Sequence, residues 1–208
     1  MSPRAMRFLV LLAVLLAAAA QASSIERFKS FLRGTQTARG GFEQKVYDRG
    51  GKLVQDAKGS FVFLRPGRFR WVYDKPVDQV IVGDGERVWI HDRGLNQVKV
   101  RKLSRALGST PAALLAGSSD IDAAFELSDA GSRDGLEWLD AAPREREAGF
   151  ERVRIGFGTD GGLQAMELDD NFGQTTFLRF SRIVKNPKLD AGEFRFDPPK
   201  GADVLGDK

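Results

Sequence analysis

One segment of the chain concentrates aromatic side chains around an arginine. Residues 59–74 read Gly-Ser-Phe-Val-Phe-Leu-Arg-Pro-Gly-Arg-Phe-Arg-Trp-Val-Tyr-Asp, which predicts two strands joined at Pro66-Gly67. A two-residue hairpin loop needs a positive φ that Pro66 cannot adopt, so we expect a three-residue loop over 66–68 that sets Arg65 opposite Phe69. Because alternate strand residues share a face, this register places five aromatic residues on the side of Arg65. They are Phe61, Phe63, Phe69, Trp71 and Tyr73.

These side chains support two interpretations. In the first, the aromatic residues form an ordinary core and Arg65 reaches water from the end of its strand. In the second, the concave face of the sheet carries more apolar groups than short helices can cover, which leaves an apolar cavity. Arg65 then holds a movable cover through backbone carbonyls, since a buried guanidinium must use several of its five donors. The chemistry of such a site is the binding of an apolar ligand.

The residue types that enzymatic chemistry needs are scarce. The chain contains no cysteine and one histidine, His91, which excludes disulfides, thiol catalysis, two-histidine metal sites and a lipid on an N-terminal cysteine. Asp169 and Asp170 are adjacent in a predicted strand and point to opposite faces, which argues against a shared acid–base role. The P-loop, G-x-S-x-G, H-E-x-x-H and Rossmann motifs do not occur. We therefore predict no catalytic residue, no cofactor and no metal site.

The rest of the chain predicts a curved antiparallel sheet. From Phe42 onward apolar residues alternate, and turn sequences recur about every ten residues. We expect a single sheet of about 10–11 strands, and a sheet of that size normally curls or closes. Strands after the middle of the chain are predicted at 125–127, 136–139, 150–157, 163–168 and 175–180.

Two short helices are predicted beside this sheet. The capping-box pattern Ser23-x-x-Glu26, followed by apolar residues on one face, predicts a helix over 24–33. Thr110 and Pro111 have the residue types of an N-cap and a first helical position, and they predict the second helix. The predicted fold is mainly β, of the α+β kind: an incomplete antiparallel β-barrel with a lid of short helices over an apolar cavity. Four helical side chains are expected to line the cavity: Phe28, Phe31, Leu114 and Leu115.

The first 22 residues have the pattern of a secretory signal peptide. Arg4 and Arg7 precede an apolar run over 8–20, and Ala20-Gln21-Ala22 fits a cleavage site near Ala22. Residues 23–208 then form one domain of 186 residues, with 30 of the 32 basic residues left against 28 acidic ones. No later stretch approaches the roughly 20 apolar residues of a membrane span. We expect an exported, soluble monomer of nearly neutral charge, which argues against nucleic acid as a partner.

A series of short motifs runs through nearly the whole domain. In chain order they are Phe42-x-Gln44, Gly59-x-Phe61, Arg65-Pro66-Gly67-Arg68-Phe69-Arg70-Trp71-x-Tyr73-x-x-Pro76, Val82-x-Asp84-Gly85, Val88-Trp89, Thr110-Pro111, Met166-x-Leu168-x-Asp170, Gly173-Gln174-Thr175-Thr176 and Phe194-x-Phe196-x-Pro198-Pro199-x-Gly201. In this order, after a signal peptide, they resemble the LolA family, the periplasmic carriers of outer-membrane lipoproteins.

The resemblance carries expectations about fold, residues and partners. It implies an incomplete β-barrel whose helical lid covers an apolar cavity. It implies that Arg65 holds the lid shut through backbone hydrogen bonds and that Phe69 lies at the cavity where transfer occurs. It further implies a chaperone that binds the acyl chains of lipoproteins released from the inner membrane. The implied donor is an inner-membrane ABC transporter, and the implied acceptor is a lipoprotein receptor of the outer membrane.

Two other functions fit parts of the sequence. The same fold serves a carrier or sensor of another lipid or hydrophobic ligand equally well, because apolar patterning does not identify the ligand. Arg65, Arg68 and Arg70 among aromatic residues are also typical of a single-strand nucleic-acid platform. Export and the nearly neutral charge weigh against that platform. They favour Arg68 and Arg70 as a solvated basic rim that docks an acidic partner.

Overall fold

The computed structural model describes residues 23–106, 111–117, 121–144 and 149–206. The predicted signal peptide and the predicted N-cap Thr110 lie outside these ranges. Helix α1 spans Ser24–Gly34, and three short helices follow the sixth strand: α2 (Leu103–Ala106), α3 (Pro111–Ala116) and α4 (Ile121–Ala124). The strands are β1 (Thr37–Tyr47), β2 (Leu53–Leu64), β3 (Arg68–Tyr73), β4 (Gln79–Asp84), β5 (Arg87–Asp92), β6 (Gln97–Lys102), β7 (Phe125–Arg133), β8 (Leu136–Pro143), β9 (Phe150–Phe157), β10 (Leu163–Asp170), β11 (Thr175–Lys185) and β12 (Asp203–Gly206). A 3-10 helix (Ala191–Phe194) precedes β12.

All the described strands belong to one sheet that does not close on itself. Its order is β12-β6-β5-β4-β3-β2-β1-β11-β10-β9-β8-β7, so β12 and β7 are the two edges. Neighbouring strands are antiparallel except for β12, which runs parallel to β6. The prediction of an incomplete antiparallel barrel is confirmed. The sheet has 12 strands in the described residues, rather than about 10–11, and the strand near the C-terminus was not predicted.

Helix α1 forms as its sequence predicts. The Ser23 side chain accepts a hydrogen bond from the Glu26 backbone N–H at 3.3 Å, which satisfies one of the free donors of the first turn. Phe28, Phe31 and Leu32 are buried on one face of the helix. Because this face is apolar and the other is charged, α1 lies flat on the sheet, where it contacts β7 and β8.

The β2–β3 hairpin differs from the prediction in one detail of register. Phe63 pairs with Phe69, and the loop is Arg65–Gly67 rather than 66–68, so the expected pairing of Arg65 with Phe69 was wrong. Gly67 has a φ of 73°, which glycine adopts without strain and which ends the turn one residue early. Both loops contain three residues, so the same alternate residues face the interior in either case.

The segment after β11 crosses the outer face of the sheet. The 3-10 helix contacts β3 and β4, and the ring of Phe196 lies 5.6 Å from Trp89 and 5.8 Å from His91. His91 is the penultimate residue of β5 and so lies at a strand end. We call residues 187–202 the C-terminal strap. It covers outward-facing side chains of β4 and β5 that the sheet alone would leave in water.

Ion pairs connect the outer face of β9 and β10. The Asp169 carboxylate accepts from Arg152 at 2.8 Å and from Arg154 at 3.0 Å, and Arg154 also pairs with Glu167 at 2.7 Å. Asp170 instead accepts from the backbone N–H of Phe172 in the next turn. The two adjacent aspartates therefore have separate structural roles.

Gly59→Ala should prevent close packing of β2 against β3. A methyl group at Gly59 would overlap the Val72 carbonyl oxygen, which is backbone and cannot move aside. We expect a loss of about 3 kcal/mol or more in the free energy of unfolding, measured by urea denaturation. Gly34→Ala is the control, because a methyl group there meets no atom within 4 Å. Equal stability of the two variants would contradict the described register.

Asp169→Asn should lower stability at neutral pH and lose its effect in acid. Burial raises the pKa of the Asp169 carboxyl, but hydrogen bonds from Arg152, Thr175 and Arg154 outweigh it and hold the pKa below its usual value. The stability that this carboxylate contributes is present above its unfolded pKa near 4 and is lost as the pH falls further. We expect a difference on the order of 1 kcal/mol at pH 7 that shrinks below about pH 4. A difference that grows on acidification would refute the assignment.

Candidate functional site

Arg65 lies at the start of the β2–β3 turn with its side chain inside the protein. Only 7% of it is exposed, and its Nε donates a hydrogen bond to the Thr35 carbonyl at 3.0 Å. Thr35 is the C-cap residue of α1, where backbone carbonyls lack partners within the helix. The Arg65 backbone N–H donates to the Gln36 carbonyl at 2.9 Å. The turn therefore holds the end of α1 by two hydrogen bonds, one from the side chain and one from the backbone.

The Arg65 guanidinium is otherwise incompletely satisfied. Its Nη1 and Nη2 are buried and have no hydrogen-bond partner among the described residues. Its Cζ lies 4.9 Å from the ring centroid of Phe63 and 5.4 Å from that of Phe31, so aromatic faces replace part of the lost hydration. Burial lowers the pKa of Arg65 to about 10, which leaves it charged at neutral pH. A buried charge with two unpaired nitrogens makes the covered arrangement unfavourable in part.

The same turn also holds the second helix. The Gly67 N–H donates to the carbonyl of Ala116, the last residue of α3, at 2.7 Å. Helix α3 contacts β2 and β3, whereas α1 contacts β7 and β8. We call α1 and α3 the lid helices and Arg65–Gly67 the latch turn. One turn of three residues thus bonds to the C-terminal ends of both lid helices.

Beneath the lid helices, the five aromatic residues of β2 and β3 line the concave face of the sheet. We call them the aromatic wall; each is between 1% and 7% exposed, and they are Phe61, Phe63, Phe69, Trp71 and Tyr73. The rings of Phe61 and Trp71 stack at 5.2 Å. The Tyr73 hydroxyl donates to the Gln44 side chain at 2.9 Å, and burial raises the pKa of Tyr73 to about 12. The wall is therefore apolar, with its one hydroxyl satisfied internally.

The structure brings the predicted helical side chains to the same core. Phe28 and Phe31 pack against Phe157 of β9, with ring centroids 6.2 Å and 6.3 Å apart. Leu114 and Leu115 of α3 are buried in the same hydrophobic cluster as the aromatic wall. Each lid helix thus contributes two of the predicted residues, at opposite halves of the sheet.

Sequence reasoning missed several residues of this site. Phe42 of β1 packs against Trp71 at 4.5 Å, and Phe180 of β11 packs against Phe61 at 5.6 Å. Alternation within β1 and β11 could have found both, since each lies in a strand with buried alternate positions. Thr35, which receives the Arg65 hydrogen bond, carries no signal in the sequence beyond its place after a predicted helix.

Phe61 is the one residue of the aromatic wall that lines any of three grooves in the described residues. One of about 460 Å³ lies on the outer face beside the C-terminal strap, and one of about 370 Å³ lies between α1 and the β9–β10 turn. A third, also about 460 Å³, lies outside the latch turn at Pro66 and Arg68. With the lid helices in place the wall is covered, so the apolar cavity stays a prediction that depends on movement of the lid.

The described residues contain neither a metal site nor a membrane-spanning helix. In those ranges no three His, Cys, Asp or Glu side chains are grouped so that they could hold a metal ion. No helix there is long and apolar enough to cross a membrane. Arg70, predicted as part of a solvated rim, instead donates to the carbonyls of Glu193 at 2.7 Å and Arg195 at 2.9 Å. The solvated-rim prediction is therefore wrong for Arg70.

Comparison with known proteins gives a consistent result. Residues 33–197 match the family described as "Outer membrane lipoprotein carrier protein LolA". The chain is 49% identical over 188 residues to an outer-membrane lipoprotein carrier protein of Dechloromonas aromatica, which covers 90% of each chain. It is 50% identical over 186 residues to one of Nitrosospira multiformis, which covers 89% of this chain and 90% of that one.

Among solved structures, the fold is similar to that of an uncharacterized conserved protein from Thermus thermophilus. The TM-score is 0.53 at 14% identity, with 88% of this chain and 96% of that chain covered, so the likeness concerns the fold alone. The family assignment depends instead on the match over 33–197 and on the relatives at about half identity. The chain belongs to the LolA family of outer-membrane lipoprotein carrier proteins.

Proposed function

We propose that this chain is a non-catalytic periplasmic carrier that shields the acyl chains of lipoproteins between two membranes. The observation that supports this most is the aromatic wall on β2 and β3, which lies under α3, together with the one turn to which the ends of α1 and α3 both bond. Helices of 11 and 6 residues are short and share no strand ladder with the sheet, so they can move without breaking the hydrogen bonds between strands. The names of the relatives do not say where lipoproteins bind, so the assignment of the acyl chains to this face is part of the proposal.

The energetics of lipidation require such a shielded surface. Each buried CH₂ of an acyl chain is worth about 0.8 kcal/mol, so a chain of roughly 16 carbons holds a lipoprotein to a membrane by about 12 kcal/mol. A carrier must offer a comparable apolar surface and must still release the cargo. Opening the lid exposes the aromatic wall to water, which is unfavourable when empty and is offset when acyl chains occupy the space. Cargo binding and lid opening are thereby linked.

The latch turn sets the balance between the covered and open forms. Its hydrogen bonds to Thr35 and Ala116 favour the covered form, whereas the two unpaired nitrogens of Arg65 disfavour it. The opposing contributions leave a small net preference for the covered form over the open form. Because the difference is small, a loaded carrier can pass its cargo to a receptor that binds the cargo more tightly. We propose an ABC transporter of the inner membrane as the donor and a lipoprotein receptor of the outer membrane as the acceptor.

A different lipid on the same scaffold is the second candidate, because the aromatic wall does not distinguish one acyl-bearing molecule from another. Native mass spectrometry of the protein purified from periplasm separates the two. A bound acylated protein supports the carrier role, and a bound free lipid in its place supports the second candidate.

The protein purified from periplasm is expected to lack residues 1–22, and detection of an intact N-terminus would contradict export with cleavage.

Arg65→Leu should let cargo load but slow its delivery. The variant loses the hydrogen bond to the buried Thr35 carbonyl and leaves that carbonyl unpaired. We expect this loss to outweigh the gain from removing the buried charge, so the lid helices are less firmly held and the open form is favoured. We expect normal release of a lipoprotein from inner-membrane vesicles and at least about tenfold slower transfer to the receptor, for a shift of roughly 1.4 kcal/mol toward the loaded, open form. Arg68→Leu is the control, because Arg68 lies in the same hairpin but is exposed. Unaltered transfer by Arg65→Leu would contradict the latch.

Phe69→Glu should impair loading by placing a carboxylate in the aromatic wall. Phe69 is 1% exposed, so a charge there opposes both the covered form and contact with acyl chains. We expect about tenfold less lipoprotein released from vesicles, whereas Phe69→Leu retains most of the activity. Circular dichroism of each variant establishes that it is folded. Release by folded Phe69→Glu at the wild-type level would place the acyl chains elsewhere.

A further inference from the structure

The groove beside the C-terminal strap lies on the outer face of the sheet, and Phe61 is the one residue of the aromatic wall among its lining residues. Its volume is about 460 Å³, within the range of sites that bind ligands in proteins. The groove has an apolar floor from Val62 of β2 and Val72 of β3, and Val184 of β11, which is 51% exposed, extends that floor. Exposed apolar side chains inside a groove are poorly solvated and gain from a covering ligand.

Three arginines and one acidic residue supply the charge of this groove. Arg39 forms an ion pair with Glu193 at 3.6 Å, and both are partly exposed. Arg70 donates to neutral backbone carbonyls of the strap, which fix its position without cancelling its charge. Arg182 is exposed and makes no hydrogen bond or ion pair with any described residue. The groove therefore has a local excess of positive charge and one arginine without a partner.

The backbone is adapted to leave this groove open. The pairing of β1 with β11 shifts register between Arg39 and Gly41, and Arg182 on the facing strand has a φ of 51°. A methyl group at Gly41 would come within 2.9 Å of the Ser181 hydroxyl and 3.2 Å of Arg182 Nη2. Glycine at this position is what lets the Arg182 guanidinium lie over the groove floor.

We propose that this groove binds an extended, acidic segment of a partner protein. Arg70 on β3 and Arg182 on β11 are three strands apart in the sheet, a separation of about 14 Å at the usual strand spacing. Arginines on strands that far apart match carboxylates along a peptide rather than one compact anion. The apolar floor between them contacts the intervening side chains. The inference does not depend on the carrier role, because the charged residues of the groove belong to its outer lining and Phe61 is the one residue that it shares with the aromatic wall.

A short fluorescein-labelled peptide of alternating glutamate and valine tests this site by fluorescence anisotropy with the chain from residue 23 onward. We expect saturable binding that weakens with salt. Arg182→Glu should bind about tenfold more weakly, because it removes one attraction and adds one repulsion. Arg179→Glu is the matched control: Arg179 is an exposed residue of the same strand that does not line the groove. It should bind within about twofold of the wild type.

Two further measurements separate this site from general attraction between charges. Glu193→Gln removes the one carboxylate of the groove and keeps an oxygen for the Asp190 N–H, so it should tighten peptide binding. The matching peptide of lysine and valine should not bind. Equal losses in the two arginine variants, no saturable binding, or displacement by inorganic phosphate as readily as by unlabelled peptide would each overturn the proposal. Fatty-acid binding, measured on the same proteins, should be unchanged by Arg182→Glu. If no variant bound fatty acid, that result would contradict the proposed carrier role and leave the groove proposal unaffected.

Discussion

Both lid helices end on the same three-residue turn, and this shared attachment is the constraint on which the concave face depends. A helix C-terminus leaves carbonyls unpaired, and here Arg65 and Gly67 supply donors for one carbonyl of each helix. Helix α1 contacts β7 and β8, whereas α3 contacts β2 and β3. The turn therefore connects two helices that lie on opposite halves of the sheet. Movement of the turn therefore affects both halves together, which fits a cover that must be either in place or displaced.

The sequence predicted the inward face of the sheet better than it predicted the register. Five aromatic residues were assigned to one face although the loop was placed at 66–68, because a loop of three residues preserves the alternation wherever it begins. The turn ends early at Gly67, which has a positive φ and donates to Ala116 of α3, a partner that the sequence of the hairpin does not indicate. Strand β12 was missed because its four residues are mostly exposed and show no alternation.

Predictions about individual side chains were accurate where the partner is local and failed where it is distant in the chain. The cap at Ser23 needs only the next three residues, and the sequence contains them. The partners of Arg70 are carbonyls of Glu193 and Arg195, more than 120 residues away, and main-chain acceptors have no sequence signature. For the same reason, the sequence predicted that Arg65 bonds to a backbone carbonyl at the end of a helix but did not identify Thr35 as the residue that supplies it.

The unclosed sheet has a mechanical consequence. In a closed barrel, widening the interior breaks hydrogen bonds between strands, because every strand has two neighbours. Here β7 and β12 are free edges of the described sheet, so its curvature can relax by small changes of twist between strands while every ladder stays paired. The width of the interior can then change while the hydrogen bonds between strands are kept, and under the proposed carrier role ligands of different width fit at little enthalpic cost.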